Sequence, residues 1–141
     1  MWNRNNAVAH LDANAKNHSL GRCAEFVRKA VEAGGVILNR RVSAKDYGPS
    51  LDQVGFRLIG GGVDGQFYPG DVAVIQPIAG HPHGHMAMFN GKIWISDFRQ
   101  THGLYPGHSY RLVKPVYAIY RYSLTISAPA QTPQFASEII R

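Results

Sequence analysis

The chain has 141 residues, 45% of them hydrophobic and 17% charged, which is the size and composition of a single folded domain. Its net charge of +6 comes from 15 Lys and Arg residues scattered along the sequence. This charge favours polyanions in general, but no basic run or nucleic-acid-binding motif accompanies it. We therefore expect no nucleic-acid binding. No apolar run approaches the length of a membrane span, so we expect no membrane insertion either.

In the first third of the chain, apolar side chains recur at the three- and four-residue spacing typical of helices. This pattern predicts helices over residues 3–16, about 22–33 and about 44–54. A break ending in Gly21 precedes the second helix, and Gly34 and Gly35 end it, as glycines commonly do at helix C-termini. Pro49 is expected to begin or bend the third helix.

After Gly55 the sequence changes to short apolar runs that are typical of β-strands. Strands are predicted at residues 56–59, 71–75, 85–89, 92–98 and 116–122, with Asn90-Gly91 as a two-residue hairpin turn. Helices followed by antiparallel strands predict an α+β fold in which the N-terminal helices pack on one side of the sheet. We expect residues 1–141 to form one domain, with a less ordered tail from about residue 128.

Cys23 is the only cysteine, which excludes an intramolecular disulfide and a cysteine-only zinc site. It lies in the first turn of the predicted second helix. The unpaired N–H groups and partial positive charge of a helix N-terminus stabilise a thiolate and can hold an oxyanion. We therefore interpret Cys23 as a nucleophile. The alternative is a small buried core residue, which slow and unselective alkylation of the thiol would favour.

A thiol nucleophile needs a base, and His85 is the best placed of the seven histidines because it begins a predicted central strand. His81 and His83 alternate with it, which is also a spacing found in metal sites. However, Pro82 and Gly84 interrupt a regular strand there, and no carboxylate lies close in sequence. We therefore expect no metal and no other cofactor, and we place His83 at the mouth of a substrate cleft.

The base in turn needs an acceptor that orients it, and Asp97 is the candidate. It lies on the strand predicted to pair with the His85 strand. With a two-residue turn, Phe89 pairs with Lys92 and His85 with Ser96, so Asp97 falls one place away. A bulge or a longer turn would correct the register. Ser96 is the second candidate, and a solvated charge at the end of a strand is the other interpretation of Asp97.

Three sequence segments occur in the order seen in one enzyme superfamily. Residues 21–27 contain a Gly, one residue, the Cys and then an aromatic-aliphatic pair; residues 69–75 begin Pro-Gly-Asp; residues 84–89 begin Gly-His and continue as an apolar strand. These segments resemble the motifs of the CHAP/NlpC group of papain-like amidases. The resemblance implies a papain-like fold and hydrolysis of amide bonds in peptidoglycan, within a stem peptide or at a cross-link. It also implies that Cys23 is the nucleophile, His85 the base and Asp97 the third polar residue.

Within that superfamily, a compact domain without a signal peptide or wall-binding repeat is similar to the amidase effectors of type VI secretion, as is segment 44–51. That resemblance implies synthesis in the cytoplasm without a signal peptide, action in the periplasm of a target bacterium, and neutralisation by a cognate immunity protein. Tyr47, in this segment, is a candidate substrate-binding residue of the cleft, with a packing aromatic as the alternative.

The sequence leaves three other functions open: a phage or prophage wall hydrolase, an acyltransferase that uses the same three residues, and a noncatalytic wall-binding module. Family members often carry an aromatic residue directly before the Gly of the Cys motif. Here Ser19 and Leu20 occupy that place, so the side-chain part of the oxyanion hole is unassigned.

Overall fold

The computed structural model describes residues 1–59 and 66–123. The helices are α1 (Arg4–Asn14), α2 (Cys23–Ala33), α3 (Gly48–Gln53) and α4 (His108–Val113), with a 3-10 turn at Ala44–Asp46. The strands are β1 (Phe56–Leu58), β2 (Val72–Ile75), β3 (His85–Phe89), β4 (Trp94–Ile95), β5 (Arg99–Gln100) and β6 (Tyr117–Tyr122). The predicted tail from about residue 128 lies outside the described residues.

The strands form one antiparallel sheet in the order β1-β6-β2-β3-β4-β5. Strands β2 and β3 lie at its centre, where Ile75 pairs with His85. Alternate side chains of β2 face opposite sides of the sheet. Val72 and Val74 join the larger hydrophobic cluster, which includes residues of α1, α2 and α3, whereas Ala73 and Ile75 join a smaller cluster on the other face. The α+β prediction is therefore confirmed.

The packing of helix α2 determines where Cys23, its first residue, lies. Its apolar residues Val27, Ala30 and Val31 are completely buried, and the helix packs against both α1 and β3. The same burial that stabilises the helix therefore holds its first residue, Cys23, beside the central strand.

Two sequence predictions about the hairpin of β3 and β4 are wrong. The turn between β3 and β4 has four residues, because Phe89 pairs with Trp94 and not with Lys92. The side chain of Asn90 explains this length: its Oδ1 accepts the backbone N–H groups of Lys92 and Ile93, both at 2.8 Å. The predicted strand at 92–98 also ends early, because β4 turns back at residues 96–98 and pairs with β5 through Trp94 and Gln100.

The remaining predicted elements differ less from the structure. The predicted third helix is divided at Tyr47 into the 3-10 turn and α3, with Pro49 in the first turn of α3. Helix α4 was not predicted from the apolar pattern. Among residues 1–59 and 66–123, none of the helices has the length and apolarity that crossing a membrane requires.

Candidate active site

A depression of about 450 Å³ lies where α2 and β3 begin, and we call it the histidine groove. It brings together the three residues predicted to be catalytic, Cys23, His85 and Asp97, and is also lined by His83 and Tyr110. Residues that are far apart in the chain thus share one concave surface, as the sequence motifs predicted.

Cys23 is the first residue of α2 and is half-buried. A backbone hydrogen bond from Met86, the residue after His85, lowers the pKa of the thiol, but burial has the larger effect and the charge of Asp97 adds to it. Together they raise the pKa of Cys23 to about 11. The stabilisation of a thiolate by the N–H groups at the start of α2 is therefore outweighed by burial in the resting site.

His85 is the first residue of β3 and is 7% exposed. Gly84 precedes it with φ +71°, and a Cβ at Gly84 would collide with the carbonyl oxygen of Ile75. The Gly of the Gly-His motif is therefore needed to start the strand at this angle. Burial lowers the pKa of His85 to about 4, although the hydrogen bond to Gln100 and the charge of Asp97 oppose this shift.

Gln100 fixes the proton position on His85. Its amide nitrogen donates to the carbonyl oxygens of Gly103 at 3.1 Å and Leu104 at 2.9 Å, so its Oε1 is the atom that faces the imidazole. His85 Nε2 lies 2.7 Å from this oxygen and must carry the proton. Nδ1 is then the unprotonated nitrogen, with a lone pair available to accept a proton.

Gln100 was missed by the sequence analysis. It is 2% exposed and lies on β5, a two-residue strand, which is too short for an alternating pattern. The sequence offered one signal, since Gln100 follows Asp97 by three residues. We did not use it, because residues 96–98, which form a turn, were predicted to continue the strand.

Asp97 lies in the turn between β4 and β5 and is completely buried. Its Oδ2 accepts the backbone N–H groups of Leu20 and Arg22, each at 2.8 Å, and its Oδ1 accepts the Ser96 hydroxyl at 3.3 Å. Asp97 therefore fixes the loop that leads into α2. The predicted orienting hydrogen bond to His85 is made by Gln100 instead, and Asp97 influences His85 through its charge.

The two residues predicted to bind substrate occupy different environments. His83 lies at the edge of the histidine groove, and its Nδ1 is 2.6 Å from Ser43 Oγ. Tyr47 is 3% exposed, packs in the larger hydrophobic cluster and donates its hydroxyl to the carbonyl of Arg41 at 3.4 Å. The position of His83 favours contact with substrate, whereas that of Tyr47 favours a packing role. Both substrate-binding roles remain predictions.

The buried imidazole predicts a pH dependence of stability. The pKa of His85 is about 4 in the folded protein against an ordinary 6.5, so the unfolded chain binds a proton first as pH falls. The contribution is complete above pH 6.5 and decreases to zero as pH approaches 4, a loss of about 3 kcal/mol. We expect urea denaturation of the wild type to show most of this loss, about 2 kcal/mol, between pH 7 and pH 4.5.

His85→Gln is expected to lose much of that pH dependence, because Gln does not titrate. His102→Gln, which removes an exposed histidine outside the groove, is the matched control and should retain the wild-type slope. An equal slope in all three proteins would contradict the assignment of the effect to His85.

The antiparallel sheet, with a helix-borne cysteine beside a strand-borne histidine, defines a papain-like fold. Two crystal structures of the type VI effector–immunity complex Tae3–Tai3 from Ralstonia pickettii are similar to this chain. The native complex matches with 52% identity and a TM-score of 0.81, covering 86% of this chain and 100% of the matched chain. The selenomethionine complex matches with 53% identity and a TM-score of 0.77, covering 82% and 99%. The chain therefore belongs to the Tae3 family of type VI effectors. No protein-family model and no curated protein matched it.

Proposed function

We propose that this type VI effector hydrolyses amide bonds in the peptide part of bacterial peptidoglycan, with Cys23 as nucleophile and His85 as base. The observation that carries the proposal is the hydrogen bond between His85 Nε2 and Gln100. It leaves Nδ1 as the basic atom of an imidazole that shares a groove with the thiol. The papain-like fold and the Tae3 family relationship support the same chemistry.

In the proposed mechanism, the Cys23 sulfur attacks the substrate carbonyl carbon while His85 Nδ1 accepts the thiol proton. The new oxyanion is held by backbone N–H groups at the start of α2. When the tetrahedral intermediate collapses, the C–N bond breaks and His85 gives its proton to the departing amine. Water then attacks the thioester, with His85 accepting its proton, and the acid product leaves as the thiol is restored.

The resting charge state favours proton transfer during the attack over a preformed ion pair. With pKa values of about 11 for Cys23 and about 4 for His85, the neutral thiol and neutral imidazole are the stable pair at pH 7. The thiolate is therefore expected only when a bound carbonyl is positioned to receive the electron pair.

The biological setting of the proposal follows from the family relationship. The Ralstonia pickettii relative is an effector in complex with an immunity protein. We propose that this effector likewise acts in the periplasm of a target bacterium and has a cognate immunity protein as its partner.

The test is to incubate the purified protein with isolated sacculi and to identify the soluble fragments by mass spectrometry. We expect wild-type protein to release fragments in which each cleaved amide has gained one water, and Cys23→Ala protein to serve as the blank. Products that carry an added amine in place of water would favour acyl transfer. If sacculi that a characterised amidase digests release nothing, peptidoglycan is the wrong substrate.

A further inference from the structure

A second depression, of about 630 Å³, adjoins the histidine groove at Cys23. Gly21, Cys23 and His83 line both depressions. We call the second one the basic groove, because five cationic side chains and one acidic side chain line it: Arg22, Arg28, Lys29, Arg40, Arg41 and Glu25. Asp97 is the one Asp, Glu, Lys or Arg residue that lines the histidine groove. The candidate nucleophile therefore lies between a groove lined by several cations and one whose single carboxylate is buried.

Most of the cations in the basic groove already have partners. Arg22 and Lys29 both pair with Glu25, at 2.6 and 2.8 Å, and Arg28 pairs with Glu32 at 3.1 Å. The hydrogen bond to Arg22, followed by that to Lys29, lowers the pKa of Glu25 to about 2, so the carboxylate stays charged under ordinary conditions.

Arg40 and Arg41 are the cations of the basic groove that have no carboxylate partner. Arg41 is half-buried, and its Nε donates to Ser50 Oγ at 2.7 Å. Arg40 is exposed, and within residues 1–59 and 66–123 its guanidinium has neither an ion-pair nor a hydrogen-bond partner. Val42, which is 94% exposed, lines the same depression and offers an apolar surface next to this charge.

The position of His85 gives the substrate a direction. His85 lines the histidine groove and not the basic groove, and the departing amine must take its proton from this imidazole. The amine side of the cleaved bond therefore has to lie in the histidine groove. The acyl side must then extend past Cys23 into the basic groove.

We propose that the basic groove binds the acyl side of the substrate through a free carboxylate, and that Arg40 is the residue that contacts it. This inference rests on the proposed function, because the direction argument needs an amide substrate and His85 as the acid. Arginine is suited to this role since its guanidinium forms paired, charge-assisted hydrogen bonds with a carboxylate. The carboxylate would supply the counter-charge that Arg40 lacks within the described chain.

The experiment compares soluble muropeptides that contain the bond cleaved in sacculi, with each acyl-side carboxylate either free or converted to a primary amide. We expect the wild type to prefer the free carboxylate by about 10-fold in kcat/KM. Arg40→Gln should remove that preference by slowing only the carboxylate substrate. Lys92→Gln, which removes one charge from an exposed loop outside both grooves, is the matched control and should keep it.

Two results would overturn the inference while leaving the proposed function intact. One is an equal rate of the wild type on free and amidated muropeptides. The other is an Arg40→Gln variant that retains the wild-type preference or slows both substrates equally. A wild type that cleaves neither muropeptides nor sacculi would overturn the proposed function and this inference together.

A separate observation concerns Tyr110 of α4, which lines the histidine groove and is 4% exposed. Its ring centroid lies 6.1 Å from that of His85. Among the described residues, its hydroxyl is the buried side-chain polar atom without a hydrogen-bond partner. Burial, followed by the charge of Cys23, raises the pKa of Tyr110 to about 12, so the hydroxyl keeps its proton. A buried donor without an acceptor costs stability, so its presence beside the candidate nucleophile needs an explanation.

We infer that the Tyr110 hydroxyl, which lines the same groove as Cys23, stabilises through its dipole the negative charge that forms on the Cys23 sulfur when its proton moves to His85. Within the described part of the chain, the hydroxyl has no hydrogen-bond partner at rest, Cys23 Sγ included, so its O–H bond is free to turn toward this charge. A dipole in a water-poor site stabilises such a charge more strongly than it would in bulk water.

Tyr110→Phe removes only the hydroxyl. We expect kcat to fall about 10-fold with KM unchanged, the pH profile of Cys23 alkylation to shift upward by about one unit, and the melting temperature not to fall. Tyr105→Phe is the matched control, since its hydroxyl donates to the carbonyl of Pro115 at 2.7 Å; it should lower the melting temperature without moving the alkylation profile. An unchanged alkylation profile and kcat in Tyr110→Phe would overturn the inference.

Discussion

Cys23→Ala is expected to reduce the release of fragments from sacculi by at least about 10⁴-fold. Catalytic residues act as a unit, so removing the nucleophile removes nearly all of the rate enhancement of the enzyme. The fold should tolerate the change. Cys23 is half-buried at the first position of α2, and alanine is the best helix former. The melting temperature is therefore expected to stay within a few degrees of the wild type, measured by circular dichroism on the protein used for the digestion.

Cys23→Ser is the matched variant, because it keeps a group of similar shape that can still accept the backbone hydrogen bond from Met86. A hydroxyl is far harder to deprotonate than a thiol, so we expect Cys23→Ser to be nearly as inactive as Cys23→Ala. Fragment release by Cys23→Ala at a tenth of the wild-type rate would show that the thiol is not the nucleophile. The interpretation of Cys23 as a core residue would then be correct.

The raised pKa changes how labelling of Cys23 should be interpreted. From the sequence, slow alkylation would favour a noncatalytic cysteine. In the structure, burial keeps the thiol protonated at neutral pH, with a pKa of about 11, so slow alkylation is expected of the enzyme as well. The activity of the Cys23 variants therefore discriminates between the two interpretations, whereas labelling of the resting protein does not.

The parts of the fold that local patterns specify were predicted closely from the sequence. Strand β3 has the predicted bounds, 85–89, and α2 begins within one residue of its prediction. In both places the apolar periodicity agrees with a glycine at the boundary: Gly84 before the strand and Gly34 after the helix. Cys23 and His85 stand out as candidates in the sequence because each lies at the first position of such an element.

The acceptor of His85 could not be predicted, because it depends on contacts that the sequence does not display. The side chain of Asn90 lengthens the turn by two residues, which changes every pairing after it. Asp97 then bonds to Leu20 and Arg22, which are 77 and 75 positions away in the chain. We also searched only for a carboxylate and so missed Gln100, although an amide oxygen can accept a hydrogen bond from the imidazole N–H with the same geometry as a carboxylate oxygen.

Asp97 and Gln100 are expected to fail in different ways when they are replaced. Asp97→Ala leaves the N–H groups of Leu20 and Arg22 without their buried acceptor, so we expect the free energy of unfolding to fall by about 3 kcal/mol. Activity should fall about 100-fold or more, since the loop that positions Cys23 is released. Gln100→Ala removes the acceptor of His85 and the two hydrogen bonds to the carbonyls of Gly103 and Leu104, so we expect a loss of about 2 kcal/mol in stability and about 30-fold in kcat.

Gln100→Glu provides a test that a purely structural role would not pass. A carboxylate beside the imidazole favours its charged form, so the acid limb of the pH–kcat/KM profile, expected near the His85 pKa of about 4, should move to higher pH. Asp97→Asn, which removes a negative charge from the same groove, should move the limb in the opposite direction, because Asp97 raises the pKa of His85. Urea denaturation and pH–rate profiles of the four variants make both comparisons. Nearly full activity in Gln100→Ala, together with an inactive but stable Asp97→Ala, would show that Asp97 orients His85 in the working enzyme.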